Sequence, residues 1–162
     1  MAVLDTPEAL SAALPPGRGL MGLDLGTKTI GVAVSDRRRS VATPLHTLRR
    51  AKFTADAMAL LRIATDRDLA GVILGLPRNM DGTEGPRAQS ARAFARNLSA
   101  LTDLPIALWD ERLSTVAAER ALLEADTSRK RRAEVIDAVA AGIILQGLLD
   151  RLAYLERGAR EH

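Results

Sequence analysis

An aspartate stands inside an apolar run near the start of the chain, Leu20-Met21-Gly22-Leu23-Asp24-Leu25. Short runs without polar alternation read as strands covered on both faces. An ionised carboxylate placed there needs a cation, strong hydrogen-bond donors or a metal, because leaving water is costly. Residues two apart on a strand share a face, so Asp24 points with Gly22 and Gly26 and away from Leu23 and Leu25. The glycines leave room for something to approach it. Gly26 to Thr29 then reads as a tight connection carrying Lys28, and Ile30 to Ser35 as the second strand of a hairpin. On residue types alone, Asp24 is either a turn cap or ion-pair acid held by Lys28, or a functional ligand.

A chain of 162 residues, 47% of them apolar, suits one domain with a real core. The expected layout is a lead-in over residues 1–18, ordered or floppy, a single domain over 19–157 and a C-terminal tail over 158–162. Only four aromatic residues occur, Phe53, Phe94, Trp109 and Tyr154, which argues against a base-stacking platform. With no cysteine, and with His46 and His162 far apart, carboxylates remain as the plausible metal ligands. Asp5 and Glu8 near the start, and the lack of a run approaching about 18 apolar residues, point to a cytoplasmic protein without a membrane segment. The net charge is +3, and all but three of the 23 basic residues are arginines, whose fork suits phosphate oxygens. Nucleic acid is therefore a permitted partner.

Further along, Asp36 to Ser40 reads as a basic turn and Val41 to Leu48 as a strand that Pro44 confines to a sheet edge. Phe53 to Asp68 reads as a helix with Thr54 as N-cap, and Gly71 to Gly75 as a buried strand. The loop Gly75 to Gly85 (GLPRNMDGTEG) lies beyond the carboxyl end of that strand, where ligands usually bind in α/β sheets. A helix from Pro86 to about Ala100 presents Arg87, Arg92 and Arg96 on what is ordinarily a solvated face. The last strand, Ile106 to Trp109, runs into DERLST, where adjacent Asp110 and Glu111 point to opposite sides. Either acid could face a site or pair with Arg112. Ser114 or Thr115 can cap a helix to about Ala125. A final helix, about Ala133 to Leu155, carries an apolar face of Val135, Ile136, Val139, Ile143 and Ile144. On it Asp137 shares a side with Ala140, Ala141 and Ile144, so small side chains could let the acid point inward.

Four segments, GLDLGTKTIGVAVSD, GLPRNMDGTEG, DERLST and KRRAEVIDAVAAGIILQ, together resemble the YqgF family, also called RuvX, of RNase H-like nucleases. They occur in family order over most of the chain. The resemblance implies an α/β fold, an RNase H-like mixed five-stranded sheet with helices on both faces. It implies that Asp24 is a metal ligand, that Glu111 is catalytic with Asp110 in reserve, and that Asp137 is the third acid of one site. Oxygen-only ligands of this kind suit Mg²⁺ or Mn²⁺. Lys28, Arg78, Asn79, Arg112, Arg129, Lys130, Arg131 and Arg132 are the implied nucleic-acid contacts. Thr29 departs from the many family members that carry a basic residue there.

The implied activity is a metal-dependent endonuclease acting on a ribosomal RNA precursor, in particular the 5′ end of pre-16S rRNA. The alternative is a Holliday junction resolvase cutting branched DNA, which calls for a symmetric dimer; the sequence is compatible with monomer or homodimer. The glycine-flanked DxG hairpin also resembles the phosphate-binding turn of actin-like ATPases. That reading fails on length, since such a site lies between two domains. A nucleic-acid-binding module without catalysis is disfavoured by retention of all three acids.

Overall fold

The computed structural model describes residues 3–115, 119 and 129–161, with side chains of the last helix described over 136–158. The elements run α1 (Pro7–Ala13), β1 (Leu20–Leu25), β2 (Thr29–Ser35), β3 (Ala42–Arg49), α2 (Phe53–Asp66), β4 (Gly71–Leu76), α3 (Pro86–Ser99), β5 (Ile106–Asp110), a 3₁₀ turn (Glu111–Leu113) and α4 (Arg129–Glu161). Five strands form one sheet in the order β3-β2-β1-β4-β5. The first three meander antiparallel, and β4 and β5 add parallel to β1. Parallel addition needs crossovers, which α2 and α3 supply. This is the mixed five-stranded sheet expected from the sequence, and Pro44 sits on its edge strand β3, as a residue lacking the ladder donor should.

The period-two alternation of the strands divides the core. Leu23, Val32, Leu74 and Ile106 face α2 and α3, where Leu60, Phe94 and Leu98 meet them. Ala33, Ile73 and Trp109 face the other way, beneath Ala141, Ile144, Leu145 and Leu148 of α4. On this second face two glycines set the distance between layers. A Cβ on Gly22 would stand 2.7 Å from Leu145 Cβ and 3.0 Å from the Ala141 carbonyl oxygen. A Cβ on Gly31 would collide with the carbonyl of Asp137. The obstacle at Gly31 is helix backbone, so α4 rests directly on the sheet.

Several expectations are corrected. Residues 3–18 are not set apart from the body. Leu4 forms a parallel bridge with Ala107 (Leu4 N to Ile106 O, 2.8 Å), covering part of the free edge of β5, and Leu10 of α1 is fully buried. The start of α1 was legible in Thr6-Pro7-Glu8: Thr6 Oγ1 accepts from Ala9 N at 3.1 Å, with proline and an acid in the first turn. Thr54 does not cap α2; instead the buried Asp56 carboxylate accepts from Ala51 N at 3.0 Å. Helix α4 is longer than expected at both ends, running through the proposed tail as far as Glu161. Its buried stripe is Ile136, Ala140, Ala141, Ile144, Leu145 and Leu148, while Val139 and Ile143 are only half-buried; the side chain of Val135 lies outside the described residues. Its apolarity also overturns the expectation that no segment reaches spanning length. Residues 136–158 are long and apolar enough by composition, an 18-residue window within them having mean hydropathy 1.4, but their apolar stripe is used against the sheet. The helix expected over 115–125 lies outside the described residues except for Thr115 and Glu119, whose N–H donates to Thr115 O at 2.9 Å.

Gly31→Ala should therefore destabilise the fold by about 1–3 kcal/mol or more, because α4 must shift bodily. Gly158→Ala, with nothing within 4 Å of its added Cβ, should be neutral or slightly stabilising. Urea unfolding of the two variants beside the parent checks the contrast.

Candidate active site

Asp24, only 2% exposed, ends up between two glycines on neighbouring strands. In β2 its partner is Gly31. In β4, one step past the last paired residues Leu23 and Leu74, comes Gly75. Strands lie about 4.8 Å apart, so whatever rests on Gly31 or Gly75 is a neighbour of the Asp24 carboxylate. The backbone of Asp137 rests on Gly31. The side chain of Glu111 rests on Gly75, its Oε1 2.6 Å and its Cγ 3.2 Å from where a Cβ would be. Asp24 and Asp137 line one cleft of about 420 Å³, with Lys28, Thr29 and Arg87. Three acids far apart in sequence are thus brought to one end of the sheet on the α4 face.

Each acid is held differently. Asp24 is fixed by its strand. Asp137 Oδ2 accepts a short hydrogen bond from the Thr29 hydroxyl, which ties α4 to the hairpin that carries Asp24. Glu111 opens the 3₁₀ turn, which Ser114 closes by donating to the Glu111 carbonyl from N at 3.2 Å and from Oγ at 2.9 Å. Adjacent Asp110 diverges as expected. Its carboxylate accepts from Arg112 N at 2.9 Å and Arg112 Nη2 at 2.7 Å, with Arg78 Nη1 at 3.6 Å. Hydrogen bonding to the Arg112 guanidinium holds the Asp110 carboxyl below its ordinary range.

That network occupies residues that the family resemblance had offered as nucleic-acid contacts. Arg78 pairs with Glu84 at 3.3 Å, and Arg92 grips Glu84 at 2.6 and 2.8 Å, keeping the Glu84 carboxyl low. Asn79 closes the loop on itself, N to Thr83 O and Nδ2 to Thr83 Oγ1, both at 2.9 Å. Arg78, Asn79 and Arg112 therefore stiffen the loop and the 3₁₀ turn around Glu111. Lys28 is exposed at the hairpin tip and makes no ion pair among the described residues. Arg129, Lys130, Arg131 and Arg132 occupy the first turn of α4, and their side chains lie outside the described residues. Arg87 and Thr29 also line the cleft with Asp24 and Asp137, a place the sequence had not assigned them. The signal for Arg87 was its place just after Pro86, which starts α3 at the carboxyl end of the sheet.

The donor set fits a hard divalent cation, being carboxylate oxygen with neither histidine nor thiolate. Among the described residues the acids are neighbours and do not close into a three-ligand cluster. Three like charges in contact would repel, so an open arrangement is the electrostatically ordinary one.

Comparison with known proteins places the chain. A family profile described as RuvX, Holliday junction resolvase, matches residues 18–151. A Paracoccus denitrificans protein named "Putative pre-16S rRNA nuclease" is 71% identical over 155 residues, 96% of this chain and 98% of that one. A Ruegeria pomeroyi protein of the same name is 70% identical over 153 residues, 94% and 99% of the two chains. Among solved structures, T. thermophilus RuvC in complex with Holliday junction substrate aligns with TM-score 0.53 and 11% identity, over 84% of this chain and 96% of that one. The yeast mitochondrial Holliday junction resolvase Ydc2 aligns with TM-score 0.53 and 12% identity, over 93% and 86%. At such identities these two share the fold.

Thr29→Val keeps the shape of the side chain and removes the donor to Asp137. It should cost about 1.5–3 kcal/mol in urea unfolding, the range for a hydrogen bond to a charged group, while Thr29→Ser should stay within about 0.5 kcal/mol of the parent.

Proposed function

The chain belongs to the family described as RuvX, Holliday junction resolvase, and from that membership we propose a metal-dependent endonuclease that cuts ribosomal RNA precursors at the 5′ end of pre-16S rRNA. The supporting observation is the glycine-floored patch in which Asp137 rests on Gly31 and Glu111 on Gly75, either side of Asp24. A strand, a short turn and a helix deliver one carboxylate each to the same end of the sheet.

In this reading Asp24, Glu111 and Asp137 hold Mg²⁺ or Mn²⁺. The bound cation supplies activation of water and stabilisation of the leaving oxygen in an in-line displacement. A bond forms between a water oxygen and phosphorus, and one P–O ester bond breaks. Asp24, on a central strand and nearly dry, is the fixed reference of the site. Thr29 sets the orientation of Asp137 with a neutral hydroxyl donor. Glu111, laid over Gly75 by a braced 3₁₀ turn, holds its carboxylate toward the reacting water to accept its proton. Lys28 meets the phosphodiester at the mouth of the cleft, with Arg129 to Arg132 extending that contact along the first turn of α4. A cytoplasmic placement accompanies a ribosomal RNA substrate, and a single-strand cut needs only a monomer.

The family description itself supports a second reading, resolution of four-way DNA junctions by a homodimer. One assay separates the two: cleavage of a pre-16S 5′ segment and of a four-way DNA junction, each with Mg²⁺, Mn²⁺ or EDTA. Metal-dependent cuts in the RNA and an intact junction are expected; the reverse pattern transfers the assignment to branched DNA. Asp24→Asn should remain folded and lose on the order of 100-fold or more in cleavage, the scale on which a preorganised electrostatic group acts. A variant that unfolds instead would assign Asp24 a structural role.

A further inference from the structure

Among the described residues, the cations near the acids differ in whether a carboxylate neutralises them. Arg78, Arg92 and Arg112, on the β4 and β5 side, each have a carboxylate within 4 Å (3.3, 2.6 and 2.7 Å). Lys28 and Arg87, which line the same cleft as Asp24 and Asp137, form no ion pair among the described residues. Both are exposed. The guanidinium of Arg87 approaches the Leu25 carbonyl, at the end of β1, with Nη2 at 3.5 Å. That is the long limit of a hydrogen bond, and a guanidinium has five donors. The side chain is thus laid across the end of the strand carrying Asp24 with most of its donors uncommitted.

A cleft with two acids in its lining repels an approaching phosphodiester, so binding there requires positive charge that is not already neutralised. We propose that Arg87, on the first turn of α3, and Lys28, on the β1–β2 turn, form a two-point grip on the phosphodiester backbone of a nucleic-acid strand, while Arg78 and Arg112 serve the loop scaffold. This deepens the nuclease reading and rests on it for the identity of the strand. Arg87 supplies a planar fork and Lys28 a point charge, so the two can hold successive phosphates without reading bases. The backbone therefore enters along the β1–β2 hairpin.

The test is binding of a fluorescein-labelled single-stranded RNA by anisotropy in EDTA, where cleavage does not interfere, from 50 to 200 mM KCl. Each lost phosphate contact should flatten the slope of log K against log salt by about 0.7. A fourfold rise in salt should then weaken the parent roughly 2.6-fold more than Arg87→Ala or Lys28→Ala. Arg87→Lys should keep the slope, and so should Arg62→Ala, which removes an exposed α2 arginine paired with Asp66 at 3.8 Å. An unchanged slope in Arg87→Ala or Lys28→Ala, or an equal loss in Arg62→Ala, overturns the grip. Melting temperatures identify misfolding, in which case Arg87→Gln replaces the alanine variant. The two readings fail separately: a parent that binds RNA through Arg87 and never cuts it refutes the nuclease, whereas a cutting parent matched in slope by Arg87→Ala refutes only the grip.

Discussion

The backbone of α4 lies on Gly31 with no room for a methyl group between them, and the arrangement of the site follows from that contact. A helix held off by an ordinary side chain would carry Asp137 away from the sheet and out of reach of Thr29. Gly22 repeats the condition farther along β1, beneath Ala141 and Leu145, so the helix is seated at two points. Interiors are close-packed and transmit such constraints over several turns. The small residues of this interface, Ala33, Ala140 and Ala141, form a flat apolar surface whose chief product is position. Larger side chains, Ile144, Leu145 and Leu148, supply the burial that holds it shut.

The same economy of space explains Glu111. Gly75 leaves the floor bare where Glu111 lies, and the turn holding that residue is braced from outside by Asp110 and its two arginines. Two adjacent acids therefore have opposite fates: one is neutralised by guanidinium and carries the turn, the other is laid over the sheet. Charge is distributed unevenly about the acids as a result. The loop after β4 and the 3₁₀ turn hold arginines already matched by Glu84 and Asp110, while Lys28 and Arg87 on the hairpin side form no ion pair among the described residues.

Most of the fold was legible because its signals were local: apolar runs for β1 and β4, Pro44 for an edge strand, and helical periodicity for α2 and α3. Asp24 was conspicuous as an acid in an apolar strand, and Asp137 because alanines shared its side of the helix. What could not be read was tertiary pairing. Whether an arginine is neutralised depends on which carboxylate the fold brings beside it: the Arg112–Asp110 pair is local and was among the sequence's alternatives, whereas the pairing of Arg78 with Glu84 and Asp110 needed the fold. The choice between Asp110 and Glu111 needed the direction of the turn. The lead-in was underrated because Leu4 finds its partner, Ala107, only after β5 is in place. Helix α4 was misjudged at residue level because the stripe that reaches the sheet runs through Ala140, Ala141, Ile144, Leu145 and Leu148, leaving Val139 and Ile143 beside it.

The most direct measurement is the anomalous scattering of crystals soaked in Mn²⁺. A peak bound by carboxylate oxygens of Asp24, Glu111 and Asp137, each within about 2.0–2.6 Å, is the expected result. A peak held by other residues, or a site formed by Asp24 and Asp137 with Glu111 turned to solvent, would contradict the convergence of the three acids on one metal centre.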